Sequence, residues 1–176
     1  MESWNPQTSD TVDHLAYLRL ALNLAKESPP KPTNFRVGAL LVCQSLETPI
    51  LATGYTLELP GNTHAEQCCL SKFMDSKGIH TLEELQEKLP MDTVLYTTME
   101  PCVKRLSGNK PCVDRIVEAK RIRKVYVGVS EPEKFIEENN GRRMLEIAGI
   151  QYEHIPGLEH EILEVATAGH EKTEGS

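Results

Sequence analysis

The chain has no excess of positive charge. Across its 176 residues, 19 Lys and Arg face 26 Asp and Glu, for a formal net charge of −7. A protein that grips nucleic acid along a broad basic face is therefore not expected. A small phosphorylated ligand, held by a few local cations, remains compatible with this balance. No apolar run approaches the ~20 residues of a membrane span, so no membrane association is expected. The opening stretch Met1-Glu2-Ser3-Trp4-Asn5-Pro6 has neither the basic nor the apolar part of a secretory leader. There is no N-x-[ST] site, and the five cysteines (Cys43, Cys68, Cys69, Cys102 and Cys112) are odd in number. These features predict a reducing compartment, the cytoplasm, with the nucleus as a second option. No internal repeat is visible. A single domain of this length buries roughly 68–70% of its unfolded surface and needs no disulfide staples.

Periodicity then orders the chain. Residues 1–8 are polar and are expected to be a flexible N-terminus. Ser9-Asp10 offers a cap for a helix over 11–27, with Leu15, Leu18, Leu22 and Ala25 as its apolar stripe and Leu20, Ala21 and Leu24 widening it. Such a helix should pack on a sheet. Pro29-Pro30 ends it. Residues 37–43 and 50–56 read as two strands of a hairpin, the first apolar enough to be buried on both faces. Helices follow over 64–76 and, opened by the capping pattern Thr81-Leu82-Glu83-Glu84, over 81–89. Strands are expected at 92–99, 124–129 and 150–155, and helices at 112–120, 142–148 and 158–168. The helix between the third and fourth strands suggests a parallel pair. Residues 131–140 read as charged and irregular. The expected fold is α/β: three α/β/α layers around a five-stranded mixed sheet, in a folded domain spanning 9–168 with a flexible tail at 169–176.

Two short stretches carry chemistry. One is Thr63-His64-Ala65-Glu66. The other runs from Glu100-Pro101-Cys102 to Lys110-Pro111-Cys112. One imidazole and two thiolates suit a borderline-soft tetrahedral ion, above all Zn2+. Three protein ligands leave a fourth position, which marks a catalytic site. Glu66 is too close in sequence to His64 to be a comfortable fourth ligand, and it is well placed to serve a water. The H-x-E…P-C…C pattern is that of zinc nucleobase deaminases, in which the glutamate moves protons and does not bind metal. Each piece also has a plainer reading. Thr63 and Glu66 form a capping box, and free cysteines are usually small core hydrophobes, as is expected here of Cys43, Cys68 and Cys69. The other histidines (His14, His80, His154, His160 and His170) have no ligand-like partners and read as surface or structural residues. The combination of residue types at two helix entrances favours the metal site, because helix N-termini stabilise thiolates.

Nine residues separate Cys102 from Cys112, and they include Lys104, Arg105 and Lys110. Most pyrimidine, cytidine and tRNA deaminases have two there. Such a loop can be a solvated surface excursion or a clamp for an anionic substrate.

These residues resemble the deaminase of riboflavin biosynthesis. Thr97-Thr98-Met99-Glu100-Pro101-Cys102, the long loop and Lys110-Pro111-Cys112 are similar to that family's T-L-E-P-C…G-[KR]-T-P-P-C, with one residue more in the loop. Asn34-Phe35-Arg36-Val37-Gly38 resembles its N-P-x-V-G, and Glu146-Ile147-Ala148-Gly149-Ile150 its late helix. The stretch from Gly54 to Cys69 resembles the fungal branch, whose substrate carries a ribityl chain. The likeness covers roughly residues 12–155. It departs at Leu57, where bacterial members have a histidine, and at 78–90, an insertion relative to them. Bacterial members usually continue into a reductase domain, for which this chain has no room.

The resemblance implies a cytidine-deaminase-like fold and hydrolytic removal of the 2-amino group of 2,5-diamino-6-(ribitylamino)pyrimidin-4-one 5′-phosphate. It implies Zn2+ on His64, Cys102 and Cys112, with Glu66 as proton shuttle. It places substrate contacts at Asn34 and Ala65, and among the loop cations Lys104, Arg105 and Lys110, expected from their charge to clamp the phosphate, it puts Lys110 foremost; it also implies a homo-oligomer, a dimer. For Asn34 a turn-forming role after Pro32 is the alternative. Other nucleotide deaminases, acting on cytidine, dCMP or tRNA adenosine, and a non-catalytic scaffold of the same fold are the rival functions.

Overall fold

The computed structural model describes residues 12–103, 105, 108–130 and 141–170. Helix α1 (His14–Ala25) starts where Asp13 Oδ1 accepts from the Ala16 N–H at 2.9 Å. The cap is thus Asp13, three residues beyond the expected Ser9-Asp10, which lies outside the described residues. The buried stripe is Leu18, Ala21, Leu22 and Ala25. Leu15 and Leu20, expected to share it, are 39% and 45% exposed.

Strands β1 (Gly38–Val42), β2 (Ile50–Tyr55), β3 (Thr93–Met99), β4 (Ile122–Val129) and β5 (Gln151–His154) form one sheet in the order β2-β1-β3-β4-β5. The β1–β2 and β1–β3 pairs are antiparallel, and β3–β4 and β4–β5 are parallel, so the sheet is mixed as expected. Side-chain alternation divides the core in two. Leu41, Leu95, Val125 and Val127 point to one face, and Leu40, Val42, Val94 and Tyr96 to the other. The first face is covered by α2 (Ala65–Lys77), α3 (Leu82–Lys88), α4 (Cys112–Ala119) and α5 (Gly141–Ile147). The second is covered by α1 and α6 (Glu159–Ala166). No helix among the described residues is long and apolar enough to cross a membrane. The expected irregular stretch at 131–140 lies outside the described residues.

Two glycines set how closely helices approach the sheet. A Cβ on Gly38 would lie 1.7 Å from Ala21 O of α1, and a Cβ on Gly54 would lie 2.3 Å from Ala65 O of α2. The Gly54 contact seats the first turn of α2 on β2. Residues 169 and 170 are also held. Gly169 lies against Pro30 and Lys31, and His170 Nε2 is 2.9 Å from Asn34 O. The expected boundary of a tail at residue 169 therefore falls inside packed structure, and 171–176 lie outside the described residues.

Candidate metal centre and catalytic site

Three elements converge at the carboxyl end of β3. His64 is the residue before α2, Cys102 follows β3, and Cys112 is the first residue of α4. Their ligand atoms all lie within 4.8 Å of one another. His64 Nδ1 is 3.5 Å from Cys102 Sγ and 3.5 Å from Cys112 Sγ. With Zn–S of about 2.3 Å, Zn–N of about 2.0–2.1 Å and tetrahedral angles, the N···S edge of a zinc site is about 3.5 Å. The donor set therefore fits zinc in type and in spacing, through Nδ1 of the imidazole.

The site favours thiolate. The Cys112 N–H, at the start of α4, donates to Cys102 Sγ at 3.2 Å, and Val113 N donates to Cys102 O at 3.1 Å. The Cys112 thiol beside it, with help from His64 and against the cost of burial, brings Cys102 down to about 4. The same shared proton and burial push Cys112 up. One thiolate thus forms readily, and a cation held by His64, Cys102 and Cys112 would favour the second as thiolate too.

Glu66 is 4% exposed and stands in the first turn of α2. Its Oε1 accepts from Thr97 Oγ1 at 2.9 Å, and Thr97 Oγ1 is also 2.9 Å from Met99 O. Burial, then the nearby Cys102 charge, raises the Glu66 carboxyl above its ordinary value. A raised carboxyl in such a site suits a group that must both take and give a proton. The capping role expected for Thr63 and Glu66 is filled otherwise. His64 is the residue that caps α2, and Gln67 Oε1 accepts from its N–H at 3.4 Å. Thr63 Oγ1 donates instead to Leu59 O.

A cavity of about 370 Å³ opens on this centre. His64, Ala65, Glu66 and Cys102 form its floor, with Asn34, Phe35, Asn62 and Arg105 among the residues of its walls. Asn34 Nδ2 donates to Asn62 Oδ1 at 3.1 Å, and Asn34 Oδ1 accepts from Thr33 Oγ1 at 3.0 Å. Its amide thus faces side chains of the cavity rim. Arg105 is 9% exposed, and its guanidinium donates to Gln67 Oε1, Asn62 O and Lys110 O. Lys110 does not line the cavity. Its Nζ is 2.6 Å from Glu118 on α4, with both side chains partly exposed. Lys104 lies outside the described residues. Cys43, Cys68 and Cys69 are buried core residues, as the sequence suggested.

Sequence reasoning missed Thr97, Asn62 and Gln67. Strand alternation with Leu95 could have placed Thr97 on the α2 face. Asn62 and Gln67 flank His64 but carry no motif of their own.

The family description "cytidine and deoxycytidylate deaminase zinc-binding region" matches residues 11–129. The diaminohydroxyphosphoribosylamino-pyrimidine deaminase of Schizosaccharomyces pombe is 38% identical over 158 residues, which are 90% of this chain and 36% of that protein. The chain thus spans about a third of the length of that curated relative. The Rib2 deaminase of Aspergillus oryzae, as a C-terminal deletion mutant at pH 4.6, is similar at 50% identity and a TM-score of 0.81, covering 90% of this chain and 93% of that one. The same enzyme crystallised in complex with DARIPP gives 49% identity and a TM-score of 0.80, covering 90% and 92%.

Proposed function

The chain belongs to the family of cytidine and deoxycytidylate deaminase zinc-binding regions, and from that premise we propose that it deaminates a phosphorylated ribitylaminopyrimidine of riboflavin biosynthesis. The reaction is hydrolytic removal of the 2-amino group of 2,5-diamino-6-(ribitylamino)pyrimidin-4-one 5′-phosphate. The observation that carries the chemistry is Glu66, buried beside the His64–Cys102–Cys112 triad on the floor of the cavity and bonded to Thr97. A structural zinc has no use for such a carboxylate. The substrate class rests on the likeness to Rib2 deaminase, whose crystal structure holds DARIPP.

His64, Cys102 and Cys112 hold the metal, which when bound lowers the pKa of water to about 7. Glu66 takes a proton from the attacking water and delivers it to the ring nitrogen. It then carries the second proton to the departing amine, so that water and an aminopyrimidine become a pyrimidinone and ammonia, and the carboxylate is regenerated. Asn34 and Ala65 are assigned to the pyrimidine ring. The phosphorylated end is assigned to the Cys102–Cys112 loop, where Lys104 and Lys110 add positive charge in an acidic chain. A homodimer and a cytoplasmic location belong to the same proposal.

Ammonia release is the test, with cytidine, dCMP, the ribosylamino and ribitylamino pyrimidine phosphates, and the dephosphorylated ribitylamino compound side by side. The ribitylamino phosphate should be the preferred substrate. A charge-assisted phosphate contact, about 1.5–3 kcal/mol, should favour it over its dephosphorylated form by roughly 10- to 150-fold in kcat/KM. Preference for cytidine or dCMP would support the second reading, which the family's own description favours. Equal use of both phosphorylation states would remove the loop's anion-binding role.

A further inference from the structure

The three metal ligands come from two segments that the chain separates widely. Cys102 and Cys112 are tied to each other by backbone, through Cys112 N to Cys102 Sγ and Val113 N to Cys102 O. No such backbone tie joins the His64 segment to the cysteine loop among the described residues. Arg105 makes that connection. It stands three residues after Cys102. Its Nη2 donates to the carbonyl of Asn62, two residues before His64. Its Nη1 donates to Gln67 Oε1 at 3.0 Å, three residues after His64, and approaches Lys110 O at 3.5 Å, two residues before Cys112. One guanidinium, three residues after Cys102, thus touches the chain beside both His64 and Cys112.

We propose that Arg105 is a strap that preorganises the zinc triad, a positioning residue for the metal rather than a direct ligand of the substrate phosphate. This rests on the zinc reading above. Its surroundings fit that role. The guanidinium is buried, it makes no ion pair among the described residues, and its partners are the neutral oxygens that a planar fork of fixed donors can bridge. Two donor nitrogens are already committed to these oxygens, and Nε is buried without a partner among the described residues. An arginine left to bind substrate would present a free edge to the cavity. Gln67 has a double duty, because its Oε1 accepts from both Arg105 and the His64 N–H. The strap therefore runs through the residue that orients the His64 end of α2. Groups that orient metal ligands typically change metal affinity by about 10- to 100-fold when lost.

The experiment follows zinc transfer from the loaded full chain to excess 4-(2-pyridylazo)resorcinol, with circular dichroism to confirm the fold. Arg105→Met should release zinc about 10- to 100-fold faster than wild type. Arg105→Lys should stay fast, because an ammonium cannot span three oxygens. Gln67→Met, which removes one anchor only, should fall between, and it keeps the test decisive if Arg105→Met does not fold. The preference for phosphorylated over dephosphorylated substrate should be unchanged in the folded variants. Wild-type release rates in all three variants would overturn the strap. So would a loss confined to the phosphate preference, which would make Arg105 a substrate clamp. A wild-type protein that holds no zinc would instead overturn the metal reading itself.

Discussion

Thr97 has one hydroxyl proton and two acceptors at 2.9 Å, Glu66 Oε1 and Met99 O. It can hold the carboxylate in place while Glu66 is charged and turn to the carbonyl when it is not. A hydrogen bond to a charged group is worth about 1.5–3 kcal/mol. Thr97→Val should therefore lower kcat by about tenfold or more with zinc content unchanged, and Thr97→Ser should recover most of it. Steady-state kinetics with metal analysis would show this, and normal turnover in Thr97→Val would deny Thr97 any part in holding Glu66. On the opposite face, His14 Nδ1 meets Tyr96 Oη at 2.7 Å, and the ring stacks on Tyr126. Burial, and more weakly Lys124, lowers its pKa from 6.5, against Glu153 and Asp13. The unfolded chain therefore binds the proton first. His14 favours the fold fully above about pH 6.5 and loses that contribution as pH falls through its lowered folded value. The urea midpoint should drop between pH 7.5 and pH 5 by more in wild type than in His14→Asn. At this scale the sequence was most legible where chemistry restricts residue type. His64, Glu66, Cys102 and Cys112 could be read, whereas Lys110 was expected in the substrate site and is paired with Glu118 outside the cavity wall.

Among the elements, α2 matters most, because His64 caps it and its first turn carries Glu66. Its seat is Gly54, where an added Cβ would meet Ala65 O at 2.3 Å and Cys69 N at 2.8 Å. These are backbone atoms and cannot rotate away. Gly54→Ala should push α2 off β2, costing about 1–3 kcal/mol of stability and lowering zinc affinity together with it. Denaturant unfolding and zinc titration would check both, and unchanged zinc affinity would mean that the helix end is positioned without Gly54. The eleven helices and strands among the described residues were foreseeable from the sequence, but their ends were not. Helix α1 starts at His14 behind the Asp13 cap, later than expected, with no periodicity signal to mark the difference. Strand β4 begins at Ile122, earlier than expected, because Ile122 pairs with Thr93 at the start of β3. That register is a tertiary fact with no local signal.

Over the whole molecule, the cavity wall depends on residues far apart in the chain. The segment bearing Asn34 and Phe35 is held by the end of α6. Arg36 N donates to Ala166 O at 3.1 Å, His170 Nε2 meets Asn34 O at 2.9 Å, and the His170 ring lies edge-on to Phe35. Nothing local in the sequence joins His170 to a segment 136 residues away, which is why it read as part of a tail. Ending the chain at Ala168 should raise KM with kcat and zinc content nearly unchanged, because the cavity wall is loosened while the metal centre is not. Equal KM values in the shortened and full chains would show that the segment is held without residues 169 and 170. The proposed reaction depends on one carboxylate acting beside the metal without binding it. Glu66→Gln is therefore the most direct measurement, read by ammonia release from the ribitylamino pyrimidine phosphate alongside zinc content. The variant should keep its zinc and its fold and lose at least ~10²–10⁴ in kcat, the usual worth of a positioned acid and base. Turnover near the wild-type rate, or loss of the zinc itself, would contradict it.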